Sequence, residues 1–260
     1  MMLQVAVCGR TSAETAALSA AVCLWAEDTD RETDVAQFQI TELSKAISGG
    51  TDFDIFIIDA ECGGSAGLEA AELINKFLPC ASAILMSDSG AQARAAYAAN
   101  AVRLLIKPFS RKTFCEALCF AEKACIALKK IRQYSDAGKM SGDSTALGLS
   151  SIVYITNEKH SHIVQYSDGS CGGGTHRSGL GEHFSELLEL PMFVRISSSC
   201  IIGINHVREV YTNCVVMSNG EMFRLGRSRR GEVLEKIRSA IAGGNTHRDI
   251  KFYTTNKKQD

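Results

Sequence analysis

Features that mark membrane proteins and metalloproteins are absent from this 260-residue sequence. Residues 16–26 form the longest apolar run near the amino terminus, and this run is about half as long as a bilayer crossing requires. No basic stretch with a cleavage site accompanies it, which argues against a secretory signal. The ten cysteines contain no Cys-x-x-Cys pair, so a zinc site is not indicated. We therefore predict a cytoplasmic chain with no membrane segment and no bound metal.

Motifs for enzymatic chemistry are missing as well. The segment around Gly9 lacks the G-x-G-x-x-G spacing of a dinucleotide site, and the sequence contains no phosphate-binding loop. No nucleophile stands with a base and an orienting acid in a pattern that indicates covalent catalysis. We therefore expect neither an enzyme nor a cofactor.

The charge is low in total but unevenly distributed. The formal net charge is −1, yet residues 1–150 contain 14 Lys+Arg and 18 Asp+Glu, whereas residues 151–260 contain 14 and 11. The second part is therefore basic, which makes it the candidate partner of a polyanion. A hydrophobic fraction of 45% with 22% charged residues is typical of folded domains, and the length suits two of them.

The first half of the sequence alternates short apolar runs with segments rich in Ala, Leu, Glu and Lys. The apolar runs predict strands and the segments between them predict helices. Five strands separated by helices indicate an α/β fold, a doubly wound parallel sheet in (βα)5 order. The predicted strands are residues 3–8, 34–40, 54–59, 82–87 and 102–106, and the predicted helices are residues 12–26, 41–48, 66–78, 90–99 and 110–131.

Polar side chains stand at the ends of three of these predicted strands. Asp59 ends the third strand, Ser87 ends the fourth, and Lys107 follows the fifth. Ligands of open parallel sheets bind outside the carboxyl ends of the strands, so these groups are expected to converge. A carboxylate, a hydroxyl and an ammonium could accept, hydrogen-bond and neutralise a phosphoryl group. The alternatives are a solvated lysine at 107 and a helix N-cap at Ser87.

The stretches FIID (56–59), MSDSG (86–90) and LLIKPF (104–109) resemble those of response-regulator receiver domains, over residues 1–130. The resemblance implies that Asp59 is the phosphoacceptor and that Ser87 and Lys107 line its pocket. Receivers carry an acidic pair after the first strand to hold Mg²⁺, but here Gly9 and Arg10 stand at that point. Because a cation opposes a divalent metal, we predict a degenerate receiver without Mg²⁺-dependent phosphorylation.

Two further expectations concern this receiver-like segment. Leu104 stands where the aromatic switch residue of receivers is expected, so a second part of the usual relay is missing. Arg10 could instead reach Asp59 as a built-in counter-ion that mimics part of the neutralised site. Residues 131–150, rich in Ser, Gly, Asp and Lys, predict a linker between domains.

The second half of the sequence reads as short strands separated by turn signals. This pattern predicts a mostly antiparallel β domain over residues 151–242, followed by a flexible tail at 243–260. Two helices are predicted at residues 179–190 and 229–242. The predicted strands are SIVYIT (151–156), HIVQYS (162–167), FVRI (193–196), CIIG (200–203), VREVY (207–211), CVVM (214–217) and MFRL (222–225).

Ordered stretches of this half are similar to the LytTR family of DNA-binding domains: IVYITNEKHSHIVQYSDG, LGEHFSELL, FVRISSSCIIGINHVREV and NGEMFRLGRSRRGEVLEKI. The resemblance implies a β-fold whose loops enter DNA grooves, with His162 on a strand-connecting loop and Ser198 facing the DNA. A third DNA-facing position falls at Arg227, Ser228 or Arg229. Ser197 and Ser198 replace the His-Arg or His-Asn of the family, and Gly203 replaces a common Asn, which argues against base-specific contacts at that loop.

An arginine cluster supports the same role independently of the resemblance. Arg224, Arg227, Arg229 and Arg230 lie within seven residues, at a predicted strand end and helix start. Guanidinium groups pair with phosphate oxygens or with the O6/N7 edge of guanine, and a helix N-terminus favours phosphate. A solvated basic face is the alternative. Arg195, in an apolar strand, is expected to pair with an acidic residue, and His176 and His183 are expected at the surface.

The combined pattern predicts a transcription regulator of a two-component-like system that binds double-stranded promoter DNA as a homodimer. A sensor histidine kinase is a possible partner of its receiver-like domain. The alternative is a protein-interaction or ligand-sensing module in which the basic domain serves assembly. Salt-dependent binding to duplex DNA distinguishes the two functions. The affinity of a DNA-binding regulator for the duplex should fall steeply with salt, because binding releases counterions.

Overall fold

The structure is a computed structural model that describes residues 2–137, 148–159, 161–242 and 250–256. The chain divides into two compact units, Met1–Lys129 and Lys130–Asp260. Residues 138–147 of the expected linker lie outside the described residues, and so do residues 243–249 and 257–260 of the expected tail.

Unit 1 is a five-stranded parallel sheet in the order β2-β1-β3-β4-β5, with helices between successive strands. The alternation predicted from the sequence is confirmed, with boundaries that move by a few residues. The elements are β1 (Leu3–Cys8), α1 (Ser12–Asp28), β2 (Thr33–Gln37), α2 (Ile40–Ser48), β3 (Ile55–Asp59), α3 (Ala66–Phe77), β4 (Ser82–Ser87), α4 (Ala93–Ala98), β5 (Arg103–Ile106) and α5 (Arg111–Ala137).

The core of unit 1 forms two layers because side chains alternate across the sheet. Val7 and Ile57 pack on one face, with Trp25 of α1. Phe56 and Ile58 pack on the opposite face, against α2 and α3. Every residue of β3 and of β4 is buried, as parallel strands covered on both faces require. The polar residues Asp59 and Ser87 are the last residues of these two strands.

Close packing also fixes α3 against the end of β3. A Cβ atom at Gly67, in the first turn of α3, would lie 2.1 Å from the carbonyl oxygen of Asp59. No side chain fits at that distance, so glycine allows the helix to approach the strand end. The packing thereby fixes the backbone that carries Asp59.

Unit 2 contains two sheets, with the strand orders β8-β7-β6-β10-β9 and β13-β12-β11-β14. Within the described part of this unit, all strand pairs are antiparallel except β11 with β14, so the predicted mostly antiparallel fold is confirmed. The elements are β6 (Ile152–Glu158), β7 (Ser161–Tyr166), β8 (Cys171–Thr175), α6 (Leu180–His183), α7 (Ser185–Glu189), β9 (Phe193–Ser197), β10 (Cys200–Gly203), β11 (Val207–Val210), β12 (Cys214–Met217), β13 (Met222–Arg224), α8 (Arg230–Ala242) and β14 (Lys251–Phe252).

Three details of unit 2 differ from the sequence prediction. The helix expected at 179–190 is two short helices that meet at Phe184. Strand β8, with the sequence CGGGT, was not predicted, because consecutive glycines have little strand propensity. Within the expected tail, β14 pairs with β11, and the Tyr253 ring stacks on Tyr211 with centroids 4.6 Å apart.

The core of unit 2 joins α8 to both sheets. Val233 and Ile237 of α8 are buried together with Val194 of β9 and Val215 of β12. Helix α8 is therefore held by its apolar face, which leaves its first residues at the unit's surface. Among the residues that the structure describes, no helix has the length and apolarity needed to cross a membrane.

Candidate functional site

The carboxyl ends of the parallel strands in unit 1 bring Asp59 and Lys107 into direct contact. The Asp59 side chain is 0% exposed, and the Lys107 ammonium contacts its Oδ2 atom. The same ammonium contacts Oε1 of Glu14, in the first turn of α1. Lys107 is therefore an engaged cation between two carboxylates, and the alternative of a solvated lysine does not fit this geometry.

Arg10 lies in the same constellation, as expected. Its Nη2 atom is 3.3 Å from Asp59 and 3.3 Å from Oε2 of Glu61, and its Nη1 atom is 2.8 Å from Oδ2 of Asp88. One guanidinium thus links three carboxylates. The contact predicted between Arg10 and Asp59 is present in the structure.

Ser87 is directed to a residue that sequence reasoning missed. Its Oγ atom donates to Oε1 of Glu61 at 2.5 Å and lies 2.8 Å from the carbonyl oxygen of Ser89. The N-cap role considered for Ser87 is taken by Ser89, whose side chain accepts from the backbone N–H of Ala91. Glu61 lies two residues after Asp59 on the loop that follows β3, and that short spacing was the available signal.

Opposite charges set the ionisation of this cluster. Burial acts to raise the pKa of the Asp59 carboxyl, but hydrogen bonding and charge from Lys107 hold that pKa below its usual value. Burial acts to lower the pKa of Lys107, yet its bonds to Asp59 and Glu14 raise it. Hydrogen bonds to Asp88 and Asp59 raise the pKa of Arg10. At neutral pH these groups therefore form a charged network.

These residues do not fit a magnesium ion. Mg²⁺ prefers carboxylate oxygens and waters, whereas the Asp59 and Glu61 carboxylates are engaged by the Arg10 guanidinium. No group of three or more His, Cys, Asp or Glu residues suited to hold a metal occurs within residues 2–137, 148–159, 161–242 and 250–256. The Arg10 guanidinium is thus the positive charge next to these two carboxylates.

In unit 2, the β9–β10 turn and the end of β13 border the same concave surface. Ser198 is exposed in the turn between β9 and β10, and Arg224 is exposed at the end of β13. A cavity of about 300 Å³ lies between these segments and the end of β6. It is lined by Asn157 and Glu158, by Ser197 and Ser199, and by Phe223 and Arg224.

The remaining members of the arginine cluster differ in how available they are. Arg227 and Ser228 are exposed on the segment between β13 and α8. Arg229 lies 3.7 Å from Glu232, which offsets part of its charge. Arg230 is half-buried at the first residue of α8. The cluster thus presents Arg224 and Arg227 most openly.

Arg195 has a different role from the acid pairing that was expected. Its Nε atom donates to the carbonyl oxygen of Ser197 at 2.9 Å, and its Nη2 atom donates to that of Ser198 at 3.1 Å. The guanidinium also lies against Gly181 of α6, where a Cβ atom would be 2.2 Å from Nη1. Arg195 therefore holds the β9–β10 turn in place.

The position expected for His162 requires correction. The residue lies inside β7 and not on a loop, and its side chain is 1% exposed. Because side chains alternate along a strand, Ser161 and Ile163 point to the more open face. The His162 ring packs among His176, His183 and Phe184, with centroids 5.9, 5.5 and 5.5 Å away. In this arrangement its side chain cannot contact DNA.

This histidine cluster makes the stability of unit 2 sensitive to pH. Burial, and then the neighbouring His176, His162 and Lys130, lower the pKa of His183 from 6.5 to about 4, while Glu186 acts in the opposite direction. A depressed histidine pKa favours the neutral folded form, so this stability is complete above pH 6.5 and is lost as the pH falls towards 4.

We expect the free energy of unfolding to fall by about 1–2 kcal/mol, a value reduced because His183 is partly exposed to solvent. Unfolding of the full chain at pH 6.5 and pH 5 measures the loss above the range in which carboxylates titrate. Burial also lowers the pKa of His162, which contributes in the same direction. His183→Leu should therefore reduce the dependence. A flat profile in the unaltered chain would contradict this assignment.

Comparison with known proteins places these two units in context. No family model matches the sequence. The chain is 24% identical over 195 residues to the transcriptional regulatory protein LytR of Staphylococcus aureus strain N315, covering 68% of this chain and 76% of LytR. LytR of Staphylococcus aureus strain MW2 matches with the same identity and coverage.

Solved structures resemble part of the chain. A response regulator from Thermotoga maritima is 17% identical and covers 47% of this chain and 98% of its own, with a TM-score of 0.39. A CheY-like response regulator receiver domain protein from Methanospirillum hungatei is 17% identical and covers 50% and 98%, with a TM-score of 0.40.

The architecture and the sequence comparison are compatible with one class of protein, two-unit regulators. A five-stranded parallel α/β unit precedes a mostly antiparallel β unit. In sequence, the chain is similar to the transcriptional regulatory protein LytR.

Proposed function

We propose that the chain is a transcription regulator that binds double-stranded promoter DNA through unit 2. The observation that carries this proposal is the concave surface at which the Ser198 turn and Arg224 meet, next to the exposed Arg227. Guanidinium and hydroxyl donors on loops suit phosphate oxygens and base edges. The N-terminus of α8, beside Arg227 and Ser228, adds a dipole that favours phosphate.

Control of this binding is proposed to be independent of Mg²⁺-dependent phosphorylation. Arg10 lies where the metal would need free carboxylates, and Lys107 already neutralises Asp59. Unit 1 would then respond to a ligand, a protein or a change in its own network. The proposal also includes a cytoplasmic location, a sensor histidine kinase as partner and a homodimer on DNA. Sedimentation of the DNA complex tests whether the chain binds as a homodimer.

Duplex binding by the full chain tests the proposed function. A duplex selected from a random library is titrated at several salt concentrations, with an unselected duplex as the reference. We expect log affinity to fall linearly with log salt, with a slope of about −0.9 for each phosphate contact. Absence of binding to any duplex in dilute buffer would instead favour a protein-interaction or ligand-sensing module.

A glycine substitution can test the Arg195 support of the DNA-facing turn without changing any charge. In Gly181→Ala the new Cβ would lie 2.2 Å from Nη1 of Arg195, so the guanidinium must move off the Ser197 and Ser198 carbonyls. Because a long side chain can shift cheaply, we expect less than about 1 kcal/mol of lost stability. Affinity for the selected duplex should nevertheless fall by roughly fivefold to tenfold, about the strength of one hydrogen bond.

Gly179→Ala is the matched control for this substitution. Gly179 immediately precedes α6, and a Cβ atom there would meet nothing within 4 Å. Fluorescence anisotropy of the labelled duplex should show unchanged affinity for Gly179→Ala. Equal affinities for both variants would remove Arg195 from the DNA-binding scheme.

A further inference from the structure

The hydrogen-bond donors at the strand ends of unit 1 converge on side chains of the protein itself. Ser87 donates to the Glu61 carboxylate, and the backbone N–H of Glu61 donates to Oδ1 of Asp59 at 2.8 Å. Lys107 contacts Asp59 and Glu14, while Arg10 contacts Asp59, Glu61 and Asp88. Each of these four donors therefore already has an anionic partner.

We infer that the Glu61 carboxylate is an internal substitute for a phosphoryl group on Asp59. A phosphoryl group there would need donors for its oxygens, and a hydroxyl at the end of β4 is one that the fold supplies. In this chain that hydroxyl belongs to Ser87 and donates to Oε1 of Glu61, while Oε2 of Glu61 accepts a hydrogen bond from Arg10. One carboxylate thus takes up both the strand-end hydroxyl and the local cation.

Charge balance explains why this substitution needs Arg10. Asp59 and Glu61 would repel each other as neighbouring anions, but the Arg10 Nη2 atom lies 3.3 Å from both carboxylates. The constellation holds four carboxylates against two cations, Arg10 and Lys107. A phosphoryl group on Asp59 would replace the single negative charge of the carboxylate by close to two. The cluster, which already holds more anions than cations, would then need a further positive charge such as a divalent ion.

The consequence concerns Ser87 and the segment that follows it. Ser87 Oγ also accepts from the backbone N–H of Ser89 at 3.2 Å, so Glu61 fixes a residue that shapes the start of the β4–α4 loop. Glu61 is accordingly a positioning residue that keeps this loop in one state without phosphorylation. This inference rests on the proposed phosphorylation-independent control and names the group responsible for it.

Beryllofluoride, a noncovalent analogue of a phosphoryl group, can test the inference with the full chain in the presence of Mg²⁺. We expect no bound ¹⁹F resonance for the unaltered protein, because Arg10 and Glu61 occupy the site. Arg10→Asp should admit the metal but bind beryllofluoride weakly. Adding Glu61→Ala should tighten binding by at least about tenfold over Arg10→Asp alone, since the donor of Ser87 becomes available.

Two further variants make the result specific. Arg10→Asp with Glu69→Ala removes the same charge from an exposed position on α3, and it should bind no more tightly than Arg10→Asp. If the additional carboxylate of Arg10→Asp prevents folding, Arg10→Asn takes its place. Beryllofluoride affinity is then compared for Arg10→Asn alone and for Arg10→Asn with Glu61→Ala. Thermal unfolding of each variant shows which of them fold.

The outcomes separate the inference from the proposal beneath it. Equal beryllofluoride affinities with and without Glu61→Ala, or equal gains from Glu61→Ala and Glu69→Ala, would overturn the role of Glu61. Tight binding by the unaltered protein would overturn phosphorylation-independent control itself. The expected order of affinity is the unaltered chain, then Arg10→Asp, then Arg10→Asp with Glu61→Ala as the tightest.

Discussion

Replacing Arg224 and Arg227 together by alanine should weaken binding to the selected duplex by roughly 100-fold at about 0.1 M salt. Both side chains are exposed, one at the end of β13 and the other on the segment before α8. Each guanidinium can hold a phosphate or the edge of a guanine, and a lost base contact costs about 1–3 kcal/mol. The slope of log affinity against log salt should also become shallower by up to about two units.

The double variant Arg94→Ala with Arg111→Ala is the matched control. Both residues are exposed in unit 1, so the net charge of the chain changes by the same amount. We expect its affinity to stay within about twofold, because both residues lie outside the unit proposed to bind DNA and exposed charges are screened at this salt. Equal losses in the two double variants would mean that net charge, and not the arginine cluster, determines binding.

Replacing Asp59 by alanine should destabilise unit 1 by about 2–4 kcal/mol. The Asp59 carboxylate is 0% exposed and contacts both Lys107 and Arg10, which would lose a shared buried anion. The expected loss of stability is kept to this range because the Arg10 side chain is 39% exposed and keeps Asp88 and Glu61 as partners. Chemical denaturation of the full chain, followed by the single tryptophan, Trp25 in the core of unit 1, measures this loss.

Asp88→Ala provides the contrast within the same network. Asp88 also contacts Arg10, but its side chain is 58% exposed, so its removal should cost less than about 1 kcal/mol. Asp59→Asn, which keeps the shape without the charge, should fall between the two. A loss from Asp59→Ala no larger than that from Asp88→Ala would show that burial of the Asp59 carboxylate is not what stabilises the cluster.

Much of the fold of unit 1 could be predicted because its strands are short, apolar and separated by helix-forming segments. The stretch FIID is buried at every position, and such a run identifies a covered parallel strand without further information. The strand ends then follow from the fold, which is why Asp59, Ser87 and Lys107 could be named. Glu14 and Glu61 were not named, because a helix turn and a loop give no periodic signal, although Glu61 stands only two residues after Asp59.

The errors in unit 2 have a common physical cause. The inward position of His162 depends on strand register, and a shift of one residue exchanges the two faces of a strand. Arg195 was expected to meet an acid because buried charges usually pair, but backbone carbonyls of a turn satisfied it instead. Both outcomes depend on the three-dimensional backbone geometry, strand register for His162 and the β9–β10 turn for Arg195, which a pattern along the chain does not encode.

The contact between Arg195 and Gly181 has a consequence for sequence divergence. The guanidinium fills the space that a side chain at position 181 would require. A homologue that replaced the arginine with a shorter residue would release that space, and position 181 could then accept alanine or serine. The two positions, fourteen residues apart, should therefore change together in natural variants of this domain, with glycine retained wherever the arginine is retained.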